Sequence, residues 1–279
     1  MFTRTIRAGV RAALVAIVIL LPSLILPGSG QAASPILMLI ALACALFTFV
    51  EYASVYPGLI EFCQAPPFNR IRYLALLATL YILSVLVRGQ SEPTEMSAFF
   101  EVIGTRIGHM LDFPFSPVRL VLRSLPQGAP AEAVNLIRAG AGMAYLIAML
   151  AIVVFYIILK LQNWPPRTGA FNVWINLPTF DPTAGGDVVD RLRRDAVVNV
   201  SLGFLLPFLI PAVGQAATSL FGSAVLAGAQ KMIWMVTLWA FLPLNLLMRG
   251  VAMSRVAEMI LEMRHRSDTM TGPGEASLA

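Results

Sequence analysis

The sequence predicts an all-α fold, a polytopic membrane helical bundle with six transmembrane helices. Of its 279 residues, 58% are hydrophobic and only 13% are charged, whereas soluble domains have about 45–50% and about 25%. A helix needs about 20 apolar residues to cross about 30 Å of hydrocarbon. Six segments meet or approach that length within a single transmembrane domain, residues 1–266: 12–27, 34–51, 71–87, 139–161, 196–222 and 232–248.

The first segment follows a basic start that contains Arg4, Arg7 and Arg11. We interpret it as an uncleaved helix. The alternative is a secretory signal peptide, which also has a basic start, a short apolar core and a small-residue exit. Cleavage would leave five spans. In the second segment, Ser34 and Pro35 suit the N-cap and the first helical position.

Residues 89–130 form an extracytoplasmic segment that is amphipathic. Phe99, Ile103 and Ile107 recur at helical spacing, which predicts a helix with one apolar face. A break follows, and Ser116 and Pro117 are suited to start a second short helix. We expect both helices to lie in the membrane interface. The alternative is a re-entrant hairpin centred on 113–115.

The fifth segment is the one around which the sequence predicts the bundle to be organised. Pro207 and Pro211 each remove a backbone donor and clash with the carbonyl four residues earlier, so this helix is expected to kink or open. In hydrocarbon, the freed carbonyls must find partners on neighbouring groups. The other five helices are therefore predicted to surround it.

The charges of the remaining connections indicate on which side of the membrane each connection lies. Residues 162–195 are predicted to be a cytoplasmic loop, the sixth helix to continue past the membrane, and residues 267–279 to be a disordered tail. With a cytoplasmic N-terminus, fourteen Lys and Arg residues lie inside and six outside, as the positive-inside rule requires. We expect a multi-pass protein of the bacterial inner membrane with both termini cytoplasmic.

Composition argues against several partners and cofactors. The net charge of +5 comes from residues scattered at segment ends, so no nucleic-acid partner is expected. Cys44 and Cys63 offer neither a disulfide framework nor a metal spacing. His109 and His265 lie outside the spans, which excludes a haem held by two intramembrane histidines. No cofactor and no metal are expected.

One functional hypothesis is a passive channel or facilitator-type transporter. Discontinuous helices build midplane sites in transporters, and here Gln215 and Asn245 would bind the solute. No charged residue lies centrally in any span, which disfavours an ion-coupled pump. The alternative is that the same residues only pack helices together. The candidate residues are Asn199, Ser201, Pro207, Pro211, Gln215, Pro243 and Asn245.

The function that we favour is a non-catalytic accessory, assembly or structural subunit of a membrane complex. The sequence contains no zinc-protease or nucleophile-elbow motif and no paired membrane aspartates, so we expect no enzyme. Arg119 and Arg123 are candidates to contact lipid phosphates or a partner's carboxylates. The expected partners are the lipid bilayer and a membrane protein.

Overall fold

The chain is all-helical in the residues that the structure describes. The structure is a computed structural model, and it describes residues 2–26, 35–63, 65–126, 128–162, 164, 172–181, 183, 185–221 and 228–270. Six helices are long and apolar enough to span a membrane, as predicted. The helices are α1 (Phe2–Ile25), α2 (Pro35–Ala53), α3 (Phe68–Gly89), α4 (Glu95–Leu111), α5 (Pro117–Arg123), α6 (Ala131–Leu161), α7 (Val173–Asn176), α8 (Val188–Phe221) and α9 (Ala229–Met270).

Most spans extend beyond their predicted limits. Helix α1 begins at Phe2, α6 at Ala131 and α8 at Val188, about two turns or more before their apolar stretches. Helical hydrogen bonds continue in water, so a helix does not end where hydrocarbon ends. For the same reason α9 runs to Met270, into the segment predicted to be disordered, and residues 271–279 lie outside the described residues. Ser34 also lies outside them, and Pro35 begins α2 as expected.

Helices α3, α6 and α9 form the centre of the bundle. Leu83, Phe155 and Leu244 are almost fully buried there. Half of the most apolar window of α3 and 44% of that of α9 are buried, compared with 28% for α8. The prediction that α8 organises the bundle is therefore wrong: α8 packs on one side, mainly against α9.

Helices α8 and α9 run antiparallel with their backbones in close contact. An added Cβ at Gly203 would lie 3.0 Å from the Pro243 carbonyl oxygen, and one at Gly250 would lie 2.8 Å from the Ala196 carbonyl oxygen. Small residues allow this approach, which increases van der Waals contact between membrane helices.

The two prolines of α8 do not open the helix. Helical structure is continuous from Val188 to Phe221, so the predicted opening is wrong. Pro211 cannot donate to the Pro207 carbonyl, but the indole Nε1 of Trp239 on α9 does so at 3.0 Å. A neighbouring helix therefore supplies the donor that Pro211 lacks, and the backbone can stay helical.

The amphipathic segment contains the two predicted helices, α4 and α5. The Ser116 side chain accepts a hydrogen bond from the Arg119 amide at 3.0 Å, and Pro117 is the first helical residue, as predicted. Helix α4 crosses α6 at a contact between glycines: a Cβ added to Gly142 would lie 2.7 Å from the Cα of Gly108. This contact holds α4 against the bundle.

Candidate functional site

The structure places Gln215 and Asn245, the two residues predicted to bind a solute, apart from each other. Gly203 of α8 lies level with Pro243 and Leu247, which flank Asn245 on α9. Gln215 is twelve residues further along α8, or about 18 Å at 1.5 Å per residue. Its side chain is exposed. Gln215 and Asn245 therefore lie at different depths, because the two helices run antiparallel and the sequence separation does not bring them together.

The other predicted pathway residues are dispersed. Asn199 is buried, and its side-chain amide donates to the Asp195 carbonyl one turn earlier at 2.7 Å. Ser201 is exposed, on another side of α8. The three prolines are buried between helices: Pro207, Pro211 and Pro243.

Arg119 and Arg123 differ in their surroundings. Arg119 forms an ion pair with Asp112, with Nε 2.5 Å from Oδ1, and Arg138 contacts the other carboxylate oxygen at 3.0 Å. The Asp112 side chain is only 7% exposed, so this triad joins α5 and α6 to the end of α4. Arg119 is thus engaged within the protein, whereas Arg123 is exposed.

A large site lies at the opposite end of the bundle, where α1 begins. We call it the basic groove, and it consists of a deep cavity of about 1220 Å³ and a shallow cavity of about 410 Å³. Helix α1, the end of α2, the connection 54–67, the start of α3 and the middle of α9 line it. The two cavities share Arg7, Arg11, Tyr52, Cys63 and Pro66.

The connection 54–67 is held in place by Glu51 at the end of α2. Its carboxylate accepts hydrogen bonds from the backbone amides of Gly58, Leu59 and Ile60 at 3.0, 2.9 and 3.0 Å. Backbone donors are strong partners for a carboxylate. This anchoring fixes one wall of the basic groove.

A second network ties that connection to α9. Arg249 donates two hydrogen bonds to the Glu61 carboxylate, at 2.7 and 2.9 Å, and the Thr179 hydroxyl donates to the same carboxylate at 2.7 Å. Paired, bidentate geometry of this kind is both strong and specific in orientation. The charge of Glu61 is therefore neutralised within the protein.

The basic groove carries an excess of positive charge. Six guanidinium groups and two carboxylates line its cavities, a net charge of +4. Glu51 is used by backbone amides and Glu61 by Arg249. Among the described residues, no carboxylate forms an ion pair with the other five arginines: Arg4, Arg7, Arg11, Arg70 and Arg72.

Arg72 lies deepest among these arginines. Its Nε donates to the side-chain oxygen of Asn245, one Nη donates to Asn69 at 3.2 Å, and the guanidinium lies 5.1 Å from the ring centre of Phe68. Neutral amides orient this cation without neutralising it. The charge of Glu61 acts on Arg72, but the ion pair of Glu61 is with Arg249. A partly buried cation without an ion-pair partner is costly, and a bound anion would reduce that cost.

Arg4 and Arg11 are oriented by Tyr52. The Arg11 guanidinium lies over the Tyr52 ring at 4.0 Å from its centre, and Arg4 Nε donates to the Tyr52 carbonyl at 3.4 Å. Arginine stacks on aromatic faces while its N–H groups stay available at the edge. Both cations are therefore held at the groove with most of their donors unused among the described residues.

The wall below the arginines is apolar. It includes Val10 and Leu14 of α1 and Leu74 and Leu76 of α3, together with Phe241 of α9. Val10 and Leu74 are more than half exposed, so the groove opens sideways between apolar helix faces. Because the groove is positively charged at one end and apolar at the other, it matches a ligand with an anionic end and an apolar end.

Cys63 lies where the two cavities meet. Its thiol donates to the Ile60 carbonyl at 3.0 Å. Burial raises the pKa of the Cys63 thiol to about 11, and the negative charge of Glu51 contributes to the rise. Cys63 is thus a neutral thiol at physiological pH.

Of the residues in this site, only Asn245 was a candidate predicted from the sequence. The arginines of α1 and α3 were interpreted only as indicators of sidedness. Arg4, Arg7 and Arg11 recur at steps of three and four and so share one helix face, and this spacing could have indicated a basic site. The described residues contain no cluster of three or more His, Cys, Asp or Glu side chains able to hold a metal.

The fold and the site define a class: a helical multi-pass membrane protein with a basic groove at one end of its bundle. Comparison with family models, with curated proteins and with solved structures finds no match to this chain. The chemistry of the groove is therefore the guide to the protein's function.

Proposed function

We propose that this protein binds an anionic amphiphile, a molecule with a negatively charged head and an apolar tail, in the basic groove. It does so as a non-catalytic accessory, assembly or structural subunit of a membrane complex. The observation that supports this most is the set of five arginines without carboxylate partners above an apolar wall. An anionic head satisfies the arginines, and the tail covers the wall.

Phosphate is the head group that suits these donors best. Guanidinium groups bind phosphate through two parallel hydrogen bonds and are more weakly hydrated than ammonium groups. Basic pockets between membrane helices on the cytoplasmic side bind acidic lipid heads in the same way. An exposed apolar side chain such as Leu74 then contacts the tail where the groove opens.

We also propose how the protein is oriented in the membrane. With both termini in the cytoplasm of a bacterial cell, the basic groove faces the inner leaflet of the inner membrane, and the positive-inside rule favours this side. The outer helix α4 presents an exposed apolar face through Met96, Phe99, Val102 and Met110. Such a face suits contact with lipid or with a membrane protein partner.

Binding of phosphatidylglycerol, compared with phosphatidylcholine, tests the proposal. The full chain would be purified in mild detergent, and its affinity for each lipid measured by native mass spectrometry. Arg72→Gln removes the deepest cation while keeping side-chain polarity, and hydrogen bonds to charged groups contribute about 1.5–3 kcal/mol. We therefore expect its affinity for phosphatidylglycerol to fall by about tenfold or more.

The matched control is Arg193→Gln. Arg193 is exposed on α8 and lines neither cavity, so this variant loses the same charge and should bind as the wild type does. Equal affinity of the wild type for phosphatidylglycerol and phosphatidylcholine, or equal losses in the two variants, would contradict the proposal.

The second candidate is the passive channel or facilitator suggested by the sequence. Asn245 supports it, because this amide lines the deep cavity. The separation of Gln215 from Asn245 along the helices weakens it. Amphiphile binding involves both the arginines and the apolar wall of the groove, and it is therefore the function that we favour.

A further inference from the structure

The basic groove contains two groups of cations in two joined cavities. Arg70, Arg72 and Arg249 line the deep cavity, and Arg4 belongs to the shallow one. Arg7 and Arg11 line both. We infer that the ligand's head carries two phosphate groups, one bound by Arg72 and the other by Arg7 and Arg11. This inference rests on the proposed function and specifies its ligand class.

The arginines of the deep cavity have free N–H groups for one anion. Asn69 and Asn245 accept two of the five N–H groups of Arg72, and no other acceptor for this guanidinium occurs among the described residues. Three N–H groups therefore remain for a ligand. Because Arg249 is committed to Glu61, Arg72 and Arg70 are the cations lining only the deep cavity that a phosphate can neutralise.

The second group is placed for another anion. Arg7 and Arg11 are one turn apart on α1, which puts both guanidinium groups within reach of a single phosphate. Tyr52 holds Arg11 at the junction of the two cavities. A ligand that contacts both this pair and Arg72 must span the junction of the cavities. Two linked phosphates can reach both groups of arginines more readily than one phosphate diester can.

The charge balance agrees with two phosphates. The cavities carry a net charge of +4, so a single phosphate diester would leave +3 in the groove. Two phosphate groups on one amphiphile reduce the excess further and can satisfy both groups of donors. Cardiolipin, with two separated phosphates, and prenyl diphosphates, with two adjacent ones, share this chemistry.

The experiment compares lipids with one and two phosphates on the purified full chain. Affinities for phosphatidylglycerol, cardiolipin with matched acyl chains, and farnesyl diphosphate are measured by native mass spectrometry, with phosphatidylcholine as the baseline. We expect at least one two-phosphate amphiphile to bind tenfold or more tightly than phosphatidylglycerol. Tighter binding of cardiolipin would show that the groove recognises two separated phosphates. Tighter binding of farnesyl diphosphate would show that it recognises two adjacent phosphates.

Two variants test the assignment of each phosphate. Arg72→Gln and the double variant Arg7→Gln with Arg11→Gln should each reduce the affinity for the preferred ligand to about that for phosphatidylglycerol. Arg193→Gln should leave it unchanged, and helical content by circular dichroism identifies any variant that fails to fold.

The two proposals fail in different ways. If phosphatidylglycerol binds better than phosphatidylcholine but equals both two-phosphate ligands, this inference is overturned and the proposed function stands. If no anionic lipid binds better than phosphatidylcholine, the proposed function itself is overturned.

Discussion

Trp239 shows how one side chain decides the structure around a proline. Its indole donates to the Pro207 carbonyl, which Pro211 leaves without a donor. The ring is buried and stacks on Tyr145, with ring centres 5.8 Å apart. Prolines at 207 and 211 could be read from the sequence, but the donor on α9 could not, because it comes from 32 residues further along the chain.

We expect Trp239→Phe to destabilise the protein because it leaves a buried carbonyl unsatisfied, at a cost of about 1–3 kcal/mol. Pro211→Ala supplies a new backbone N–H to the same carbonyl. In the Pro211→Ala background, Trp239→Phe should therefore cost less. The double-mutant cycle is measured by unfolding in mild detergent and separates this bond from the packing of the ring. Equal costs in both backgrounds would show that the indole bond contributes nothing.

At the scale of helices, apolar length predicted the six spans, and capping chemistry predicted the start of α5. The start of α1 at Phe2 was missed because charged turns outside hydrocarbon stay helical. The basic groove was missed because its contacts join distant segments, such as Arg72 with Asn245, 173 residues apart. Periodicity within one helix carries no information about which helices meet.

The crossing of α4 and α6 depends on glycine, so we expect Gly142→Ala to destabilise the fold. The new Cβ would lie 2.7 Å from the Cα of Gly108, and a backbone atom cannot move aside cheaply. Overpacking of this kind costs about 1–3 kcal/mol. The measurement is thermal unfolding in mild detergent.

The control for that variant is Gly9→Ala on α1. Nothing lies within 4 Å of a Cβ at this position, and alanine is favoured over glycine in a helix by about 1 kcal/mol. Gly9→Ala should therefore leave stability unchanged or raise it. A Gly142→Ala protein as stable as the wild type would show that the two helices can separate without cost.

In the whole molecule, α3, α6 and α9 hold the other spans together. The sequence suggested α8 instead, since it carries the prolines and most of the candidate polar residues. The structure satisfies the Pro207 carbonyl with a single neighbour and leaves much of α8 exposed. The unpaired charges collect elsewhere, at the end of the bundle where α1, the connection 54–67, α3 and α9 meet.

The central claim is that an anionic amphiphile occupies the basic groove, and the reactivity of Cys63 tests it most directly. Cys63 lies where both cavities meet, and only its thiolate reacts with iodoacetamide. Its raised pKa of about 11 means that alkylation should be slow at pH 8 and should accelerate as the pH rises toward 11. The measurement uses Cys44→Ala protein so that Cys63 is the remaining thiol.

At pH 9, we expect saturating cardiolipin in mild detergent to slow the alkylation of Cys63 by about tenfold or more, because the bound head covers the junction of the cavities. Phosphatidylcholine should have no such effect, and Arg72→Gln should weaken the protection by cardiolipin. Equal alkylation rates with cardiolipin and with phosphatidylcholine would contradict the claim that this groove binds an anionic amphiphile.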